Sequence, residues 1–232
     1  MNRLLEVCLV GLAAAGAMRS LAGAGGGQRL QAGIHVELPV TRNAVAVPGA
    51  DEAGALVVSI TKDGQVYVGV TPIGPADLAN TLKKVLSSEK GKKLYLKGDV
   101  RAAYGRVAGV LEALPTAGFG KVSVLTSQQE SPEPGQLVRP KGLEVLLGAR
   151  APAGAESADV ELLQSEQGRP AVKIDNERVP WSTLASALRG ALSAERAAAV
   201  RAERGVPFGD VVEVIDVCRS TGAMVVLQTP AP

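Results

Sequence analysis

Two stretches of the chain follow one pattern, and that repetition limits the fold more than any other feature. Residues 94–126, LYLKGDVRAAYGRVAGVLEALPTAGFGKVSVLT, read as strand, helix, strand. Leu94 and Leu96 alternate with Tyr95 and Lys97, and Val122 and Val124 with Lys121 and Ser123, the period of two expected of a half-buried strand. Between them Tyr104, Val107, Val110, Leu111 and Leu114 recur at helical spacing, and Gly118 stands where a left-handed residue would close the helix. Residues 199–229, AVRAERGVPFGDVVEVIDVCRSTGAMVVLQT, repeat the pattern. Asp99, Tyr104, Gly105 and Gly118 find counterparts in Glu203, Phe208, Gly209 and Gly222, each 104 residues on. A shared displacement at chemically matched positions implies a tandem repeat of one small unit.

The 232 residues then divide into units of about 80 residues, each large enough for one modest core. Aromatic residues make up only 3% of the chain, so the cores are expected to be aliphatic, and a base-stacking nucleic-acid site is disfavoured. Lys and Arg exceed Asp and Glu by 25 to 23 and are interspersed with them, so no electrostatic footprint for nucleic acid is visible. Cys8 and Cys218 lie in different contexts and are not expected to pair, and no metal-ligand spacing occurs. His35 is the single histidine, which leaves no His-rich metal centre and at most one nucleophile–His pair within one chain.

Residues 1–26 carry Arg3 and an apolar run from Val7 to Met18, shorter than the roughly 20 residues that span a bilayer. This segment is expected to be a signal peptide, with Ala15-Gly16-Ala17 and Ala22-Gly23-Ala24 as cleavage triplets, or an N-terminal membrane anchor. Residues 27–54 form an extended lead-in that could pair as an edge strand, given Pro39 and Pro48. The first unit, 55–128, opens with LVVSIT, an Asp63-Gly64 turn and QVYVGV, a hairpin signal. Pro75 suits a first helical position, and Leu78, Leu82, Val85 and Leu86 make one apolar helix face. A Pro-rich linker, 129–142, leads to the second unit, 143–232. There ADVELL and AVKI flank a turn at 166–168, and Trp181, Leu184, Leu188 and Leu192 supply the first helix. The expected fold class is therefore α+β, two tandem small domains, each a ββαβαβ mixed sheet with two helices packed on it.

Asp99 and Glu203 each end a strand ahead of a helix. Asp99 reads as a helix N-cap or as a surface contact for a partner. Tyr104 and Phe208 are expected to pack on a sheet edge. Gly105 and Gly209 read as points of close helix-to-sheet approach, and Gly118 and Gly222 as helix stops. Neither repeat has a phosphate-cradling Gly-rich loop, and no catalytic residue, metal ligand or cofactor is assigned. The chain is not expected to be an enzyme.

The ordered set of Asp63-Gly64, Leu78 and Leu82, Asp99, Tyr104-Gly105 and Gly118, preceded by Val36-Glu37-Leu38-Pro39, closely resembles the periplasmic domain of the ExbD/TolR family of biopolymer-transport proteins. The resemblance covers residues 35–128 and, more faintly, 143–229. It implies a proton-motive-force-driven complex in the bacterial inner membrane, with an ExbB/TolQ-type multi-span partner and a TonB/TolA-type envelope protein. By the same resemblance Asp99, Tyr104, Gly105, Gly118, Glu203, Phe208, Gly209 and Gly222 become partner-interface candidates. Since family members pair through their periplasmic domains, the two units could form an intramolecular pseudo-dimer, or the chain a homodimer. The family's proton-carrying Asp in the membrane helix has no match here, and Glu6, the one acid of the first apolar stretch, is the candidate for that role. The rival expectation is a soluble periplasmic binding or scaffold module, gripping cell-wall polymer or peptide without a proton relay.

Overall fold

Strand-forming residues dominate the segments that lie deepest in the protein. In the computed structural model, which describes residues 33–88, 91–128, 139–148, 156–166, 168–192 and 196–228, the first strands among the described residues are two short ones, β1 (Val40–Thr41) and β2 (Val45–Ala46). There follow β3 (Leu56–Ile60), β4 (Val66–Val68), β5 (Thr71–Ile73), α1 (Pro75–Ser88), β6 (Leu94–Gly98), α2 (Tyr104–Thr116) and β7 (Lys121–Gln128). Then come β8 (Lys141–Leu147), β9 (Ser157–Leu163), β10 (Ala171–Ile174), β11 (Glu177–Val179), α3 (Leu184–Ala191), β12 (Ala197–Ala202), α4 (Phe208–Ser220) and β13 (Met224–Leu227). The fold is mixed α/β: one large mixed sheet carries the four helices found among the described residues.

The sheet runs β11-β10-β9-β12-β13-β8-β7-β6-β3-β4-β5. Outward from β8 the order is the same on both sides. On one side β7, β6 and β3 are parallel and β4 and β5 turn back antiparallel; on the other β13, β12 and β9 are parallel and β10 and β11 turn back. All five residues of β3 and of β6 are buried, because the helices cover one face of these strands and the lead-in the other.

Alternate side chains divide the two faces. Leu56, Val58, Ile60, Leu94, Leu96, Val122 and Val124 join the core beneath the helices, with Leu143 and Val145 of β8 and Val160, Val200 and Leu227 beyond it. Val57, Tyr95 and Leu125 point the other way and are covered by Ala50, Leu38 and Val47 of the lead-in. Leu78 and Leu82 of α1, and Leu184 and Leu188 of α3, anchor the flanking helices and are almost wholly buried. Each such side chain stabilises the fold by about 1.5–3 kcal/mol.

Several expectations need correction. Each outer hairpin carries a third strand, β5 and β11, so the order in each half is βββαβαβ. Trp181 precedes α3; its Nε1 donates to Pro170 O at 2.7 Å and its ring lies 3.5 Å under the Arg169 guanidinium. The lead-in pairs, each short strand with one neighbour, but on strands near the middle of the sheet rather than at its outer ends: β1 with β7 and β2 with β8. The largest omission is β8, which begins inside the stretch expected to be linker and pairs antiparallel with β7 and parallel with β13. Glu6, Cys8, both cleavage triplets and residues 129–138 of the expected linker lie outside the described residues.

Since β8 joins the two sides of the sheet, they are expected to unfold together. Leu143→Ala should lower stability by roughly 2–5 kcal/mol and shift one cooperative urea transition, followed in parallel by Trp181 fluorescence and far-UV circular dichroism. Two transitions, of which one moves, would contradict the shared core.

Candidate functional site

The paired motifs meet at the centre of the molecule. A helix leaves its first N–H groups without internal partners, and neither α2 nor α4 has a side-chain cap: their N-cap residues are Ala103 and Pro207. Each helix start takes its acceptors from the loop before the other. Tyr104 N–H donates to Val206 O at 2.7 Å and Gly105 N–H to Arg204 O at 2.8 Å; reciprocally, Phe208 N–H donates to Ala102 O at 2.8 Å and Gly209 N–H to Val100 O at 2.9 Å. Ala103 and Pro207 form an antiparallel bridge at the crossing point.

This crossing explains the residue types. A Cβ on Gly209 would overlap Val100 Cγ2 and lie 3.1 Å from Val100 O, and one on Gly105 would lie 2.9 Å from Arg204 Cβ. Gly98, at the end of β6, faces the Phe208 ring so closely that a Cβ would overlap it. Tyr104 and Phe208 are fully buried. They were expected on a sheet edge; they sit instead between the two halves, because the crossing places each helix start against the other half. Tyr104 Oη donates to Gln228 O at 2.8 Å, and burial, aided by Glu112, raises the phenol's pKa well above its ordinary value. Likewise Gly105 and Gly209 make room for the opposite loop rather than for their own sheet. Gly118 and Gly222 are helix stops as expected, with φ of +98° and +81°.

Asp99 is not a helix cap, since α2 begins five residues later. Its Oδ1 accepts from Arg101 N–H at 3.0 Å and Arg101 Nε at 2.9 Å, and its Oδ2 from Arg101 Nη2 at 3.0 Å and Glu37 N–H at 3.3 Å. Arg101 reaches on to Glu37 at 3.3 Å, which puts an ion triad on the surface beside the crossing. The Arg101 contacts hold the Asp99 carboxyl below the usual carboxylate range against the opposing effect of burial. Glu203, the counterpart, is exposed and accepts from Gln164 N–H at 2.6 Å.

Two further residues stand out that the sequence reading passed over. Asp216 of α4, 6% exposed, accepts from the backbone N–H groups of Arg42 at 3.0 Å and Asn43 at 2.8 Å. Lys97 is buried beneath the lead-in, its Nζ donating to Ile34 O at 3.0 Å, and burial lowers its pKa against the pull of Asp51. The matched pair Glu112 and Asp216, again 104 residues apart, was a signal that could have drawn attention to Asp216. Among the described residues no group of three His, Cys, Asp or Glu is placed to hold a metal ion. The same residues include no helix long and apolar enough to cross a membrane.

A sequence model described as biopolymer transport protein ExbD/TolR matches residues 28–129. Biopolymer transport protein ExbD of Pseudomonas aeruginosa is 30% identical over 95 residues, 41% of this chain and 69% of that protein. The chain belongs to the ExbD/TolR family. The Tol-Pal system protein TolR of the same organism is 25% identical over 108 residues, 42% of this chain and 73% of its own length. The ExbD/TolR match thus covers the lead-in and everything through β7, including Asp99, Tyr104, Gly105 and Gly118.

Two outcomes test this geometry. Gly209→Ala should cost about 1–3 kcal/mol through overpacking against Val100, whereas Gly109→Ala, in open space on α2, should gain up to about 1 kcal/mol of helix propensity; urea denaturation measures both. The second concerns acid. A carboxyl with a depressed folded-state pKa contributes stability that is present at neutral pH and lost as pH falls through the folded pKa. Asp99→Asn should therefore be less stable than the parent at pH 7 and lose less on acidification, measured as Tm against pH.

Proposed function

We propose that the chain is a non-enzymatic component of a proton-motive-force-driven transport or energy-transduction complex of the cell envelope, acting in the periplasm as an internal pair of ExbD/TolR-like units. The observation that carries this reading is the reciprocal pairing of residues 100–105 with 204–209, two segments in matching positions of the repeat. A protein that needs two such units side by side gains from fusing them, because the link turns an encounter between chains into an intramolecular one.

In this reading Tyr104, Gly105, Phe208 and Gly209 serve the internal pairing. Asp99, through Arg101 and Glu37, presents charge at the surface next to it, and Glu203 does so on the other side. The partners that family membership suggests are an ExbB/TolQ-type membrane protein and a TonB/TolA-type envelope protein. The proton step, with Glu6 as its candidate, requires that residues 1–26 remain as an inner-membrane anchor; cleavage on export would remove it.

Purification of the tagged chain from fractionated native cells tests the proposal. A membrane-fraction protein with an intact start at Met1, copurifying with an ExbB/TolQ-type protein, is the expected result. A shortened chain in the soluble periplasmic fraction without that partner would overturn it in favour of a binding or scaffold module.

A further inference from the structure

Residues 33–55 form a strap across the face of the sheet opposite the helices. Its apolar hold is modest: Ala50, with Leu38, Val47 and Ala55 partly buried, against Val57, Tyr95 and Leu125, together with buried Val36 and with Ala44, which joins the main core. Its backbone hold is two short ladders, two residues of β1 on β7 and two of β2 on β8, with single hydrogen bonds from Val47 N–H to Pro140 O, Val100 N–H to Glu37 O and Ser127 N–H to Pro39 O. Beneath it lie polar groups that an apolar cover does not suit. Ser59 Oγ is buried with no hydrogen-bond partner among the described residues, and Lys97 is a desolvated cation whose ammonium reaches Ile34 O of the strap. Opening the strap would return Ser59 Oγ to water, whereas Lys97 would give up Ile34 O and the attraction of Asp51 in the strap, so only the hydroxyl opposes closure from below. Segments with few buried apolar contacts and short ladders open at low free energy while the rest of a fold stays shut.

One set of contacts ties the strap elsewhere. Between β1 and β2 the chain leaves the first half, and Arg42 and Asn43 dock on α4 of the second. The Asp216 carboxylate accepts both of their backbone N–H groups and Asn43 Nδ2 at 3.2 Å, while Asp216 O accepts Nδ2 at 3.1 Å. Hydrogen bonds to an ionised acceptor are the strong kind. The matching position on α2 holds the exposed Glu112.

We propose that residues 33–55 are a releasable strap, held shut over the first half by the carboxylate of Asp216 in the second. This rests on the described geometry and is independent of the transport reading. It makes Asp216 a positioning residue: motion imposed on the chain ahead of residue 33 reaches both halves at once through it, and loss of the contact frees the strap from the first half as well as the second.

Native-state hydrogen exchange on the full chain tests the proposal. The reporting amides are Val47 and Ala50 in the strap, and Val100 and Ser127, which donate to Glu37 O and Pro39 O of the strap. Asp216→Ala should speed exchange at all four by about tenfold or more, with β9 unchanged, and Glu112→Gln should have no effect. Ser59→Ala, which removes the unpartnered hydroxyl, should slow exchange at the same amides. If Asp216→Ala does not fold, Asn43→Ala removes only the Nδ2 donor and should shift exchange in the same direction. Faster exchange confined to Arg42 and Asn43, an equal rise in β9, an effect of Glu112→Gln, or no slowing in Ser59→Ala would each overturn the proposal.

Discussion

The N–H groups that open α2 and α4 need acceptors, and each helix finds them in the loop that precedes the other. Much else follows from that exchange. For the loops to approach so closely, Gly105 and Gly209 must lack side chains and Gly98 must leave room for a ring. For the crossing to exclude water, Tyr104 and Phe208 must fill it, and Tyr104 must place its hydroxyl on Gln228 O. Helices crossed in this way set the last strands of the two halves, β7 and β13, on either side of β8, which completes one sheet between them. A buried helix start without such partners would carry a penalty of about 1–3 kcal/mol for each unmatched donor.

The two halves share a strand order but not a surface. On the face away from the helices, Lys97 pairs in register with Ser59 under the strap. The position 104 residues on, Arg201, pairs in register with Glu161 and forms a 3.3 Å ion pair with it, with Lys173 3.9 Å from the same carboxyl group. One half is therefore covered where the other carries a ladder of charges. Helix α4 likewise holds the strap through Asp216 where α2 has only exposed Glu112. Different residues at matched positions leave one half covered and the other holding the cover.

Much of this was legible in the sequence. Period-two alternation located β6 and β7, the Asp63-Gly64 turn located β3 and β4, and leucine spacing located α1 and α3, because turns and burial on one face leave a direct trace in residue type. The helix stops at Gly118 and Gly222 were legible because a positive φ selects for glycine. Strand β8 was not: its Lys141-Gly142 start adjoins a Pro-rich stretch, and its apolar residues gain meaning only from β7 and β13 on either side. The pairing of Tyr104-Gly105 with Phe208-Gly209 was visible as repetition, but repetition does not say that the copies touch. Asp99 illustrates the same limit, since an acid ahead of a helix reads as a cap until a neighbouring arginine and the Glu37 N–H are seen to claim it. Contacts between residues distant in sequence, such as Asn43 with Asp216, leave no periodic signal at all.

If the two halves satisfy each other's helix starts, the surface that a separate copy would need is already occupied. Light scattering of the purified chain across a concentration series addresses this most directly. The account predicts a molar mass of one chain, 23.7 kDa for the full sequence, at every concentration. A tight dimer of twice that mass, lost on Gly209→Ala, would contradict it, because the crossing would then lie between chains instead of within one.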